Sequence, residues 1–381
     1  MSDAASTGPD RTTGERQEAL LSHLVGAGYH RVEPSFLQPA SVFLDLSGED
    51  IRTRMYLTTD ASGAELCLRP EFTIPVCRDY LASSSAGAPV GYSYLGPVFR
   101  YRPGAPGESI QAGIESFGRQ DSEAADAEIF TLALEAVAAA DGPELSVTIG
   151  DPGLFSDLLE KLKLPPVWLR RIRRGHSRGQ SLDRIFNTDQ NGSASDHSGV
   201  LAALDGVDKT GARALVEDLL SIAGISSVGG RSANEIAERF LEQSSLKAGA
   251  AVSAEKRQVI ERFLAIAGDP DEASSQLRKL ATDATLDLAG ALDSFDARLG
   301  FIAARGFDVG SIRFSAGFGR NIDYYTGFVF EAHDPARQDG RPVVGGGRYD
   351  RLMKTLGAEA DIPAVGAGIW CDRLFGETGA A

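Results

Sequence analysis

Residues 92–102, YSYLGPVFRYR, and residues 110–121, IQAGIESFGRQD, are two runs rich in strand-forming residues. A short loop of proline, glycine and alanine at 103–107 separates them. Two such runs joined by so few residues predict an antiparallel pair of strands. A second hairpin is predicted at 55–70, MYLTTDASGAELCLRP, because two β-forming runs flank the turn sequence DASG. The first third of the chain is therefore predicted to build a sheet.

The order of the remaining signals gives the fold class. Further strands are predicted at 144–151, 311–318, 326–334, 343–353 and 365–375, and helices at 15–25, 121–140, 153–164 and 288–302. Strands early and late in the chain, with helices between them, predict an α+β sheet domain that carries a mostly helical insertion at about 155–290. Residues 1–12 are predicted to be a disordered tail and residues 13–375 the folded core.

Charge and hydropathy restrict the partners. The chain has 381 residues, with 38 Lys and Arg side chains against 53 Asp and Glu, and a formal net charge of −15. The densest basic run, WLRRIRRGHSRG at 168–179, is short and mixed with apolar residues, which is typical of a solvated helix face. No apolar run approaches the ~20 residues that span a bilayer, and the first residues lack the apolar stretch of a signal peptide. We therefore expect no nucleic-acid partner, no membrane contact and a cytoplasmic location.

The cysteines and histidines do not predict a disulfide framework or a metal centre. Cys67, Cys77 and Cys371 are odd in number and far apart, and the five histidines lack the spacing of metal ligands. We expect neither a metal nor a cofactor.

Polar side chains alternate along several of the predicted strands. In LRPEFT, residues 68–73, the alternation places Arg69, Glu71 and Thr73 on one face of an extended segment. The other stretches of this kind are FRYRPG with Arg100 and Arg102, QAGIE with Gln111 and Glu115, and GRNIDYYTGFVFE with Arg320.

Each stretch alone has a simpler structural explanation, such as an ion pair or a tight turn. Together they would be costly to bury without a ligand or a partner to satisfy them. Carboxylate and amide groups suit an ammonium or imidazole group, and Arg320 suits a carboxylate through a bidentate contact. The pattern predicts a site for a small zwitterion, such as an amino acid.

The ordered set of motifs resembles the catalytic core of histidyl-tRNA synthetases. The landmarks are LRPEFT, GPVFRYRP, QAGIESFG, GRNIDYYTGFVFE, GGGRYD and AVGAGIWCDRL, and the resemblance spans about residues 15–375. It implies a class II synthetase fold, in which an antiparallel sheet is flanked by helices.

The resemblance also implies roles for individual residues. The histidine-binding residues implied are Glu71, Thr73, Gln111, Glu115, Arg320, Tyr325 and Tyr349. Among them, Glu71, Thr73 and Gln111 would hold the amino group, and Glu115 and Tyr325 would meet the imidazole. The arginines that would contact ATP phosphates or another anion are Arg100, Arg102 and Arg373.

Three departures from the synthetase pattern point away from amino-acid activation. Synthetases of this type continue with an anticodon-binding domain, whereas eight residues follow Arg373 here. Arg102 stands where the family has the glutamate that meets adenine, either by substitution or because one residue has been deleted, and the loop PGAPGES after it lacks basic residues. A chain with these features resembles the regulatory subunits of ATP phosphoribosyltransferase, a family of synthetase paralogues.

That resemblance implies a non-catalytic subunit of the first enzyme of histidine biosynthesis. Such a subunit would form a homodimer, assemble with a short-form catalytic subunit in a larger hetero-oligomer and confer feedback inhibition by histidine. Two alternatives remain: a truncated histidyl-tRNA synthetase that activates histidine with ATP, and a free-standing amino-acid-binding adaptor.

Overall fold

The computed structural model describes residues 11–47, 49–104, 106–177, 179–187, 252–319 and 324–376. Two sheets form in this part of the chain. The strands are β1 His30–Arg31, β2 Leu37–Pro39, β3 Leu57–Thr59, β4 Glu65–Leu68, β5 Val90–Phe99, β6 Glu108–Phe117, β7 Ser146–Gly150, β8 Ala267–Gly268, β9 Arg313–Ser315, β10 Val329–His333, β11 Val344–Arg348 and β12 Ala364–Trp370.

The larger sheet has nine strands in the order β1-β5-β6-β12-β11-β10-β7-β9-β8, and the smaller has three in the order β2-β4-β3. The pairs β1/β5 and β7/β9 are parallel, and the other pairs of the described residues are antiparallel. Both predicted hairpins are present, β5/β6 in the larger sheet and β3/β4 in the smaller.

Helices pack on both faces of the larger sheet and against the smaller one. They are α1 Thr13–Gly26, α2 Ala40–Ser47, α3 Glu49–Arg52, α4 Thr73–Ala82, α5 Ser122–Ala139, α6 Pro152–Lys161, α7 Pro166–Ser177, α8 Leu182–Asn187, α9 Ala254–Leu264, α10 Pro270–Asp283, α11 Ala289–Ala304, α12 Asp350–Thr355 and α13 Cys371–Phe375. No helix in the described ranges is long and apolar enough to cross a membrane.

Local sequence signals explain where several elements begin. Thr12 and Glu15 form a capping box at the start of α1, so Thr12 belongs structurally to the helix that follows it. Asp151 accepts hydrogen bonds from two backbone N–H groups at the start of α6, and the next residue is a proline. In the β3/β4 turn, Asp60 accepts backbone N–H groups of its own loop and Gly63 has φ +87°.

The larger sheet separates two apolar cores. Helices α1 and α5 pack on one face, where they cover Ala112 and Ile114 of β6, and α11 packs against α5. Helix α4 packs on the other face together with Tyr94 of β5, Phe117 of β6 and Tyr349. Alternate residues of β6 therefore face different cores, and Gln111 and Glu115 share the α4 side with Phe117.

The helical region between β7 and β9 belongs to the same core as the sheet. Phe155 of α6 and Phe263 of α9 stack at 5.6 Å, and both lie in the apolar cluster that contains Ile114. Strand β8, from within this region, pairs with β9 at the edge of the larger sheet. Residues 188–251 lie outside the described residues, so the boundaries given for the insertion stay a prediction.

The predicted α+β class is confirmed, but the conformation predicted for LRPEFT is wrong. Thr73 is the first residue of α4, so Arg69, Glu71 and Thr73 do not alternate along one extended segment. Pro75, in the first turn of α4, is a helix-start signal that the alternation obscured.

Candidate functional site

The Glu115 carboxylate is the centre of a buried polar pocket. Glu115 lies on β6 with no solvent exposure. Its Oε1 accepts hydrogen bonds from the Thr73 hydroxyl at 2.9 Å and the Tyr94 hydroxyl at 3.2 Å. Its Oε2 accepts a short hydrogen bond from the Tyr349 hydroxyl. Three elements, α4, β5 and the turn after β11, thus converge on one side chain.

Glu71 lies beside Glu115, at the N-terminus of α4. Its carboxylate accepts the backbone N–H groups of Thr73 at 2.7 Å and Ile74 at 2.9 Å. The first N–H groups of a helix have no intrahelical partner, so Glu71 satisfies two of them. Thr73 links the two carboxylates, because its backbone N–H donates to Glu71 and its hydroxyl donates to Glu115.

Glycines allow these side chains to lie flat on the neighbouring strands. A Cβ at Gly366 of β12 would lie 1.6 Å from the Glu115 Oε2, and one at Gly368 would lie 2.5 Å from Gln111 Nε2. A Cβ at Gly113 would lie 2.3 Å from the Tyr94 hydroxyl oxygen. The room predicted above Gly113 therefore holds a tyrosine.

Gln111 completes the row of polar groups on β6. It is buried, and its Oε1 has no hydrogen-bond partner in the described part of the chain. An unpaired buried amide oxygen costs free energy, so this atom is suited to accept a hydrogen bond from a ligand.

Tyrosines form one wall of the pocket. The rings of Tyr324 and Tyr325 lie 5.9 Å and 6.5 Å from the ring of Tyr349, between centroids. Tyr325, predicted as a site residue, is thus next to the residue that holds Glu115. Arg320, also predicted, lies outside the described residues.

Burial dominates the electrostatics of the pocket. It raises the pKa of Glu115 to about 8, and the Glu71 carboxylate acts in the same direction while the three hydroxyls oppose it. Burial also raises the pKa of Glu71, against the two backbone N–H groups and Arg100, which lower it. The thiol of Cys77 on α4 faces both carboxylates, and its burial raises its pKa well above the usual value.

The predicted arginines gather at one end of this region. Arg100 Nε donates to the Pro70 carbonyl at 2.6 Å, beside Glu71. Burial lowers the pKa of Arg373 to about 10, and the neighbouring cations Arg102, Arg341 and Arg100 lower it further. Arg102 likewise has a lowered pKa, caused first by burial and then by Arg341 and Arg54.

Arg69 has a structural role. It donates to the Pro97 carbonyl at 3.0 Å and to the Pro34 carbonyl, and its guanidinium stacks on the ring of Phe72 at 4.0 Å. These contacts tie the segment before α4 to β5.

Sequence reasoning missed Tyr94, Cys77 and Arg341. Tyr94 pairs with Gly113 in the β5/β6 register, so the strand alignment would have placed its ring over the glycine. Arg341 comes from the loop before β11, more than two hundred residues from Arg102, and no sequence signal links them.

The chain matches the family profile of histidyl-tRNA synthetase over residues 10–209 and 209–374. Solved structures share the fold. A protein from Bacillus halodurans described as an ATP phosphoribosyltransferase regulatory subunit/histidyl-tRNA synthetase superposes with a TM-score of 0.65 at 20% identity, covering 98% of this chain and 83% of its own. A histidyl-tRNA synthetase from Nostoc superposes with a TM-score of 0.62 at 16% identity, covering 98% and 74%. The class II synthetase-like fold is therefore confirmed.

Two relatives of higher identity carry the same name. The ATP phosphoribosyltransferase regulatory subunit of Mesorhizobium japonicum is 43% identical over 351 residues, which cover 91% of this chain and 92% of the relative. The protein of the same name from Brucella canis is 42% identical over 349 residues, covering 90% and 92%. At this identity and coverage, the chain belongs to the family of ATP phosphoribosyltransferase regulatory subunits.

Proposed function

We propose that this chain is a non-catalytic, histidine-binding regulatory subunit of an ATP phosphoribosyltransferase, required for the first step of histidine biosynthesis. It acts as the sensor through which histidine inhibits the complex. The observation that carries the proposal is the pocket around Glu115, found in a chain whose relatives bear the name of that regulatory subunit.

The pocket has the acceptors that histidine needs. A carboxylate has about four lone-pair directions, and three hydroxyls occupy three of those of Glu115, so one on Oε2 is left for an imidazole N–H. The unpaired Oε1 of Gln111 and the Glu71 carboxylate suit an ammonium group. Thr73, Tyr325 and Tyr349 close the site around the ligand.

The neighbouring nucleotide region supports a sensor over an activating enzyme. Arg102 replaces the glutamate that would meet adenine by the resemblance, and Arg341 and Arg54 lie close enough to lower its pKa. A cationic side chain thus stands where a synthetase would have a carboxylate that accepts hydrogen bonds from adenine. Loss of one preorganised transition-state contact costs an enzyme about 2.7–4 kcal/mol.

For histidine to regulate, it must bind two states of the complex with different affinity, typically by about 1–3 kcal/mol. We infer that the partner is a short-form catalytic subunit, that this chain forms a homodimer within the larger assembly, and that the complex is cytoplasmic. The relatives' name supports a catalytic partner, and the resemblance to synthetases supports the dimer.

Co-purification with a short-form catalytic subunit from the same organism tests the assignment. The purified chain should bind that subunit, raise its ATP phosphoribosyltransferase activity and make it sensitive to histidine. Glu115→Ala should abolish the inhibition by histidine and leave assembly and activation intact, because it removes an imidazole partner that is fully buried. The matched control is Glu359→Ala, which removes an exposed carboxylate and should change nothing.

Two results would contradict the proposal in different ways. Histidine-dependent pyrophosphate exchange by the isolated chain would favour the truncated synthetase. Failure to bind or activate any short-form catalytic subunit, with histidine binding retained, would favour the free-standing adaptor.

A further inference from the structure

Two carboxylates that share one pocket are held by different kinds of donor. Glu71 accepts two backbone N–H groups, from Thr73 and Ile74. Glu115 accepts three side-chain hydroxyls. Backbone N–H groups only donate, whereas hydroxyl groups can also accept, so the partners of the two carboxylates respond differently to a proton.

The groups around Glu71 favour its charged form, although burial raises its pKa. Each carboxylate oxygen accepts one backbone N–H group, and hydrogen bonds to the charged form of a carboxylate lower its pKa. Arg100 acts on Glu71 in the same direction and lowers its pKa. Two N–H donors and a nearby cation therefore stabilise the charge on Glu71.

Glu115 can be held in either protonation state. A hydroxyl both donates and accepts, so Thr73, Tyr94 or Tyr349 can reverse and accept the proton of a neutral carboxyl group. No buried oxygen is then left unpaired when the proton arrives or leaves. Such a cradle of hydroxyls differs from an oxyanion site built from N–H groups, which favours the anion alone.

The groups around Glu115 favour its neutral form while the pocket is empty. The titratable groups that face it are Glu71 before α4, Cys77 on α4, Tyr94 on β5 and Tyr349 after β11. Burial keeps the thiol and both phenols protonated, so Glu71 supplies the charge in this group of residues. Two like charges in one buried site oppose each other, and burial raises the pKa of Glu115 to about 8.

We propose that histidine takes the place of the proton on Glu115, so that binding releases one proton to solvent. The imidazole N–H fills the remaining acceptor direction on Oε2, and the ammonium group, held by Glu71 and Gln111, offsets the second negative charge. The inference rests on the proposed function, because it takes histidine as the ligand. On binding, the O–H bond of the Glu115 carboxyl breaks, the proton passes to buffer, and the pocket holds two carboxylates against one ammonium group.

The release makes affinity depend on pH in a defined window. With Glu115 titrating near pH 8 in the empty pocket, its proton alone makes the affinity for histidine rise about fivefold between pH 7 and pH 8. The free imidazole titrates near pH 6.5, below this window. Glu115→Gln measures the separate effect of the ligand's own amino group, which loses its proton at higher pH.

Titration calorimetry of the full chain with L-histidine at pH 7.5 measures the proton directly. The observed enthalpy should vary with the ionisation enthalpy of the buffer, with a slope of most of one proton released per histidine bound. Glu115→Gln keeps a hydrogen-bonding group of the same size that carries no proton to lose, and its slope should be close to zero.

A second variant keeps the test independent of Glu115. Tyr94→Phe removes one hydroxyl that stabilises the anion, so the rise in affinity should continue to a higher pH than in the unmodified chain. Equal enthalpies in all buffers, with the same Kd at pH 7 and pH 8, would overturn the proton release and leave the proposed function standing. Absence of any histidine binding would overturn both.

Discussion

Replacing Gly366 by alanine should displace the Glu115 carboxylate from its three hydroxyl partners. The two residues are directly opposite in the β6/β12 register, and the new Cβ would lie 1.6 Å from Glu115 Oε2 and 2.8 Å from the Ile114 carbonyl oxygen. Neither distance is possible between real atoms, and the carbonyl belongs to the backbone of β6. The carboxylate must therefore swing away, or the two strands must separate.

The cost follows from the contacts that break. Glu115 loses the hydrogen bonds from Thr73, Tyr94 and Tyr349, each contributing about 0.5–1.5 kcal/mol, so the free energy of unfolding should fall by about 3 kcal/mol. Histidine binding should be lost at the same time.

Urea unfolding followed by circular dichroism measures the first effect, and calorimetry with L-histidine measures the second. Gly300→Ala is the matched control, because Gly300 lies exposed in α11 with no atom within 4 Å of the added Cβ. That variant should gain about 0.5–1 kcal/mol from helix propensity and bind histidine normally. A Gly366→Ala protein that unfolds at the unmodified urea midpoint, or that binds histidine unchanged, refutes the close approach of Glu115 to β12.

Two further expectations concern buried charge away from the pocket. Arg298→Met removes the guanidinium that Asp126 and Asp151 share at 2.9 Å and 3.0 Å, and the free energy of unfolding in urea should fall by about 3–5 kcal/mol. The matched variant Arg278→Met breaks an exposed ion pair, and its free energy of unfolding should fall by under ~1 kcal/mol. Equal losses in the two variants would contradict the greater burial of the Arg298 ion pairs. Burial lowers the pKa of His176 to about 4, so its contribution to stability is complete above pH 6.5 and falls as the pH drops towards 4. His176→Phe should flatten that part of the acid unfolding curve, and an unchanged slope would count against a buried neutral imidazole.

Much of the sheet was predictable because its signals are local. The β5/β6 hairpin, the turn at Asp60 and helix α5 each follow from residues within one element. The pairing of Gln111 and Glu115 on one face of β6 follows from strand periodicity alone.

The parts that escaped prediction depend on contacts distant in sequence. The segment before Thr73 looked extended because its polar residues alternate, whereas Glu71 folds back to satisfy the first N–H groups of α4. Arg341 meets Arg102 and Arg373 only because β11 and the end of β12 bring separate loops together. The helical region packs into the sheet core through Phe263, a contact that no local pattern encodes.

The glycines that line the base of the pocket restrict which substitutions could change its ligand. Gly113, Gly366 and Gly368 leave no space for a Cβ, so the depth of the pocket is set by the backbones of β6 and β12. A substitution at these glycines cannot enlarge the pocket, because glycine has no side chain to shorten. Any larger residue would collide with a side chain packed against that position. A change of ligand must therefore come from the walls, at residues such as Thr73 and Tyr94.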